Sequence, residues 1–146
     1  MAMLKEKDRK EIAEILKDLP SKVNLVYFTQ ELECEGCGIT RELLTELATL
    51  SDRISLEMHD FVGEKEVADR YGIDKIPALL LEGDRDEGNR DRGIRFYGIP
   101  GGYEFASLLE DIQMVARGDS GLAPATRTAL ASLEKDVHLQ VFVTPT

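Results

Sequence analysis

No run of apolar residues in this chain approaches the roughly 20 that a helix needs to cross a bilayer. The charged, amphipathic opening MAMLKEKDRKEIAEIL also lacks a signal-peptide core. Positive charge is scarce: Lys and Arg number 18 against 28 Asp and Glu, a formal net charge of -10. Such a surface repels phosphate backbones and anionic lipid, so neither nucleic acid nor a membrane is an expected partner. The chain reads as cytoplasmic, where a stable structural disulfide is unusual and paired cysteines more often do chemistry. Histidine and cysteine occur twice each, which leaves little for an intrachain zinc site with its usual four ligands. Hydrophobic residues make up 42% and charged residues 32% of 146 positions. That is material for one ordinary core with room for an appendage, and it excludes the disordered class.

The two cysteines stand together in ELECEGCGIT. Cys34 and Cys37 have the C-x-x-C spacing and are flanked by Glu31, Glu33 and Glu35. Three readings are open from the residues alone: a redox dithiol, half of a metal site, or two inert buried thiols. A zinc site or an iron–sulfur cluster needs further ligands, from His59 and His138 or from a second chain. His59 falls in an alternating segment whose pattern explains it as a surface or edge position.

Periodicity predicts a helix over 4–19, with Leu4, Ile12, Ile15, Leu16 and Leu19 on one face and Pro20 ending it. VNLVYFT (23–29) is apolar on both faces, the pattern of a buried strand in a parallel or mixed sheet. Ile39, Leu43, Leu44, Leu47 and Leu50 recur at helical spacing, which gives a helix from near Cys34 to Leu50. ISLEMHDF (54–61) alternates as a second strand, and 64–71 is a short helix capped by Gly72. Pro77 opens a third strand over 78–81, and 83–93 reads as a solvated hairpin tip. A fourth strand (94–98) and a helix (103–117) follow. The order α-β-α-β-α-β-β-α predicts three layers.

Residues 118–124 read as a linker before a last helix (126–133) and a last strand (137–144). Aligning Val23 with Val137 matches VNLVYFT to VHLQVFV, and sets Leu16 on Leu130 and Leu19 on Leu133. A helix–strand unit is therefore repeated. A strand as apolar as VHLQVFV is expected to pair with a sheet edge, its own or that of a second copy in a homodimer.

A strand ending just before C-x-x-C, a helix starting at the first cysteine and an Ile-Pro opening a later strand resemble the thioredoxin superfamily. The closer resemblance is to the glutaredoxin-like protein disulfide oxidoreductases, which carry two thioredoxin-fold units in tandem. It is borne by NLVYFTQELECEGC, RYGIDKIPALLLEGD, RFYGIPGGYEFASLLEDI and VHLQVFVTPT, and spans nearly the whole chain. It implies an α/β, thioredoxin-like, three-layer α/β/α fold with a central mixed four-stranded sheet and a C-terminal helix–strand appendage. Residues 1–117 would be one unit, 118–124 a linker, and 125–146 the opening of a second unit, whose own C-x-x-C follows VFVTPT in the family.

The resemblance further implies thiol–disulfide exchange with protein disulfide and dithiol substrates, with no cofactor beyond the Cys34–Cys37 disulfide and no metal. A thioredoxin-reductase-like flavoprotein would be the electron donor. A helix N-terminus favours a thiolate, which makes Cys34 the nucleophile and Cys37 the resolving thiol. Pro77 would be a cis-proline beside the cysteines, leaving the Ile76 backbone to bind a peptide. Gly101 and Gly102 match the place where glutaredoxins receive a glutathione carboxylate, with glutathione or a peptide as the candidate contact; a tight turn opening a helix is the simpler and favoured reading. One departure is electrostatic. A carboxylate about 7 Å from a thiolate costs it roughly 0.6 kcal/mol in water. Three of them oppose a helix terminus worth about 0.3 to 2 kcal/mol, so Cys34 is expected to be only weakly acidic and the dithiol reducing. The rival reading is a non-catalytic interaction or assembly module with a vestigial or slow dithiol.

Overall fold

VNLVYFT forms strand β1 (Val23–Thr29), and all seven of its residues are buried. The computed structural model describes residues 2–86 and 91–144. β1 is buried throughout because it has a strand on either side and helices over both faces, which is what an uninterrupted apolar run requires. Its neighbours are β2 (Ile54–Asp60), parallel to it, and β3 (Ala78–Glu82), antiparallel; β4 (Asp91–Tyr97) pairs antiparallel with β3. The sheet is mixed and four-stranded, in the order β2-β1-β3-β4.

Side chains of β1 alternate between two cores. Val23, Leu25 and Tyr27, with Leu79 and Leu81 of β3, meet three helices: α1 (Glu6–Leu16), α2 (Cys37–Ala48) and α4 (Tyr103–Arg117). Val26 and Phe28, with Ala78 and Leu80, meet the short α3 (Lys65–Arg70) and the turn after it through Ala68 and Ile73. The three layers are thus unequal, with three helices on one face and one on the other.

Most elements lie where periodicity puts them, with shifted ends. α1 stops at Leu16 rather than Leu19, because Pro20 has no N–H to give the Leu16 carbonyl; the Ser51 hydroxyl donates to it instead, at 3.3 Å. β4 begins at Asp91, three residues before the expected start at Ile94. Residues 87–90 of the expected hairpin tip lie outside the described residues. His59 lies on the sheet's edge strand β2, as its pattern suggests, stacked on Phe28 and hydrogen-bonded to Glu57 and Glu64. Among the described residues, no helix is long and apolar enough to cross a membrane.

A buried polar tie crosses the far end of the sheet, where β1 begins. Glu82 is 2% exposed and accepts hydrogen bonds from the Tyr71 hydroxyl at 2.6 Å and the Asn24 amide at 3.3 Å. The Asn24 carbonyl oxygen in turn accepts one from the Ser55 hydroxyl at 2.8 Å. Three strands are tied together by partners that satisfy one another, as burial of polar groups demands.

The C-terminal segment departs from expectation. Its helix, α5, spans Pro124–Ala131 rather than 126–133, with a proline at its start where the missing N–H costs nothing. The expected strand over 137–144 is not one: the segment pairs with no other strand among the described residues, and Phe142 is 90% exposed. The alignment with β1 misleads for a physical reason. β1 is a strand because two neighbours satisfy its backbone, and among the described residues 137–143 pairs with no strand. In the monomer, backbone amides at 137–143 are therefore expected to exchange with deuterium at unprotected rates while those at 23–29 are held to global unfolding. Protection at 137–143 in the monomer would mean that the segment pairs after all.

Candidate active site

Sheet register assembles the site. β1 ends at Thr29 beside Asp60 of β2, and Phe28 lies opposite Ala78, the first residue of β3. The chain leaving β1 therefore meets the residue entering β3, Pro77, whose bond to Ile76 is cis. Ala78 in turn faces Tyr97, so the next residue of β4's exit, Gly98, donates its N–H to the Pro77 carbonyl at 2.9 Å. Three loops that are remote in sequence converge at one end of the sheet.

Cys34 and Cys37 lie in the first of them and are joined as a disulfide, with Cα atoms 5.6 Å apart. Their exposure differs: Cys34 is half-buried, whereas Cys37 is 1% exposed. The helix does not start at Cys34 as expected. Gly36 is its N-cap and Cys37 its first residue, so Cys34 precedes the helix and the expected help from its terminus is weakened.

Gly36 sets that geometry. Its φ is +86°, a left-handed value that suits glycine, and a Cβ there would meet Ile99 Cγ1 at 3.0 Å and Pro77 Cγ at 3.9 Å. Ile99 thus rests on the backbone between the cysteines, with 38% of its surface still exposed. Sequence reasoning missed Ile99; a lone isoleucine between two glycine turns gives no periodic signal. Gly101 donates its N–H to the Ile99 carbonyl at 2.8 Å, and Gly102 (φ +60°) caps α4. Gly101 and Gly102 therefore form the turn that holds Ile99 over the disulfide loop.

Cys37 is fixed from below. The Tyr27 hydroxyl, on the fully buried face of β1, donates to the Cys37 carbonyl at 2.8 Å. Burial pushes the Tyr27 phenol above its ordinary value, against the opposing pull of the Thr29 and Thr40 hydroxyls and the Arg41 charge. Of the three expected carboxylates, Glu31 is compensated by Arg41 of α2 at 2.9 Å. Glu33 and Glu35 are exposed and pair with no cation among the described residues. The Ile76 backbone makes no hydrogen bond among the described residues. A cleft of about 280 Å³ opens beside the loop, lined by Arg41, Met58 and His59 among others, but neither cysteine lines it. Among the described residues, no cluster of three or more His, Cys, Asp or Glu is placed to hold a metal ion.

No protein-family model matches the chain, and no curated protein does. Solved structures do. A protein disulfide oxidoreductase from Aeropyrum pernix is 25% identical, with a TM-score of 0.77 over 88% of this chain and 55% of that one. The alkylhydroperoxide reductase subunit AhpF of Enterococcus faecalis is 30% identical, with a TM-score of 0.78 over 90% of this chain and 62% of that one. A thioredoxin from Trichomonas vaginalis matches in fold, with a TM-score of 0.52 and 21% identity over 72% of this chain and 88% of that one. The chain has the thioredoxin fold. It spans little more than half of the first two of these proteins, to which it is similar over nearly its whole described length. Within this thioredoxin fold, a C-x-x-C dithiol in its disulfide form occupies the loop between β1 and α2.

Two substitutions test how the fold holds the site. Tyr27→Phe is expected to lose about 1 kcal/mol of stability at neutral pH, the worth of one hydrogen bond. Above about pH 10 an unfolded phenol ionises while the buried one resists, so stability contributed by Tyr27 is present below that pH and lost as pH rises. The variant's stability should fall less steeply than the parent's between pH 9 and 11 in denaturant titrations, the range around the free phenol's pKa of about 10. Gly36→Ala is expected to cost about 1 to 2 kcal/mol from the left-handed backbone alone. Adding Ile99→Ala should return only the smaller, steric part, because the left-handed φ of +86° remains and the contact to Ile99 Cγ1 is at 3.0 Å. Full recovery in the double variant would show that sterics, not φ, make glycine necessary there.

Proposed function

We propose that the chain is a thiol–disulfide oxidoreductase that exchanges disulfides with protein substrates through Cys34 and Cys37. The observation that carries this is the unequal exposure of one disulfide at the start of α2 in a thioredoxin fold: an accessible Cys34 bonded to a buried Cys37. In the reduced form, the Cys34 thiolate attacks a substrate disulfide, forming a mixed disulfide and releasing one substrate thiol. Cys37, losing its proton, then attacks the Cys34 sulfur, closing the Cys34–Cys37 bond and releasing the second thiol. Two electrons and two protons pass to the substrate, and no other cofactor takes part.

Ile76 and Pro77 form the substrate-binding edge in this reading; the Ile76 peptide, which makes no hydrogen bond among the described residues, can bond to an extended chain, as buried or half-buried polar groups require. The turn at Gly101 and Gly102 contributes through Ile99, as a contact for a peptide rather than for glutathione. The unit comprises residues 1–117, with 118–124 as linker and 125–146 opening a further unit. Similarity to a reductase subunit supports a reductase as donor; in this reading the donor is a flavoprotein of the thioredoxin-reductase kind, the role is electron transport, and the compartment is the cytoplasm, where paired cysteines more often do chemistry than form structural disulfides. The exposed apolar residues Val137, Leu139, Val141 and Phe142 offer a surface for a second copy.

Equilibration against glutathione, read by mass-tagged alkylation, is expected to give a two-electron midpoint between about -300 and -200 mV. Cys34→Ser should abolish reduction of insulin, and Cys37→Ser should accumulate a mixed disulfide on Cys34. A chain that forms no intrachain disulfide at any poise would overturn the redox reading and leave a binding module.

A further inference from the structure

The carboxylates around the disulfide are not equivalent. Glu31 is compensated by Arg41, but Glu33 and Glu35, adjacent to Cys34 on either side, are exposed and unpaired among the described residues. Because Cys37 is buried, any partner sulfur must reach Cys34, and must therefore come close to both charges. The other side of the approach is apolar, with Ile99 seated on Gly36 and near Pro77. At the helix beyond it, where a ligand carboxylate would otherwise be welcome, Glu104 already places a negative group in the first turn of α4.

We propose that Glu33 and Glu35 determine the specificity of the dithiol, favouring disulfides flanked by Lys or Arg and disfavouring anionic ones such as glutathione disulfide. This rests on the redox reading above and adds to it the class of substrate. The disulfide remains the site; the two carboxylates decide which partners come close to it. Charges within a Debye length of the reacting sulfurs act mainly on the rate of encounter and are weakened by salt.

The test uses the whole chain, reduced beforehand and freed of reductant, with three symmetric peptide disulfides that differ only in the residues flanking cysteine: Lys, Gln or Glu. In each reaction the protein dithiol is oxidised to its disulfide and the peptide disulfide is reduced to two thiols, followed by quenching and mass-tagged alkylation. The parent chain is compared with the Glu33→Gln, Glu35→Gln double variant, so that reactivity intrinsic to each peptide cancels. The Lys-to-Glu rate ratio of the parent is expected to exceed that of the variant about tenfold at low salt, and about twofold or less in 0.5 M NaCl. Equal ratios in parent and variant would overturn the proposal, and would assign any preference to the overall charge of the molecule. Oxidation of the parent by none of the three peptides would instead overturn the redox reading, and the specificity with it. The Gln peptide reports on the variant directly: continued oxidation by it shows that the dithiol is intact and that the charge comparison is valid.

Discussion

Everything at the functional end of this molecule depends on the hydrogen-bonded register of β1. Its parallel pairing with β2 and antiparallel pairing with β3 place Thr29 beside Asp60 and Phe28 opposite Ala78. From those pairs follow the meeting of the Cys34 loop with Pro77, the bond between Gly98 and Pro77, and the seat of Ile99 on Gly36. A slip by one residue would exchange the two faces of β1, moving Tyr27 away from the Cys37 carbonyl and its apolar neighbours into the wrong core. The burial of all seven β1 residues makes that slip expensive, since each face has its own packed cluster.

Much of this was legible in the sequence because the signals were strong and local. An apolar β-branched run, leucines at helical spacing and a C-x-x-C between them fix β1, α2 and the position of the dithiol. Boundaries were less legible. Leucine spacing says where α2 is buried but not where it begins; the start at Cys37 is set by the left-handed Gly36, over which Ile99 lies. Ile99 itself could not be found from pattern, because its role is made by β3–β4 register rather than by any neighbour in sequence. Glu82 was hidden for a similar reason: its carboxylate follows three leucines, and only the fold brings Tyr71 and Asn24 to it.

The C-terminal segment marks the limit of propensity. VHLQVFV has the composition of β1 and an upstream helix of similar pattern, yet Val137, Leu139 and Phe142 remain exposed. Strand formation is completed by partners, and composition measures only suitability for a pleated, half-buried surface. The same seven-residue pattern is a strand in one place and unpaired chain in another, decided by whether neighbouring backbone is on hand.

The division of labour along β1 follows from what buried polar groups cost. At its start, Asn24, Ser55, Tyr71 and Glu82 satisfy one another, and Glu57 and Arg85 extend the tie toward the surface. A carboxyl group as buried as Glu82 is tolerable only with such partners, and removing one would leave a buried oxygen without its hydrogen bond. At that end the buried polar groups have partners. Five residues along β1, roughly 16 Å away at strand rise, the groups are incomplete in the opposite sense: among the described residues the Ile76 peptide has no partner and Glu33 and Glu35 have no counter-ions, and Cys34 is half-buried. Exposure to water makes those vacancies inexpensive, and Tyr27, Gly36 and Arg41 keep the backbone beneath them in place. Register secured at the polar end thus permits, at the other, a half-buried Cys34 beside groups left without partners among the described residues, the arrangement on which the proposed exchange relies.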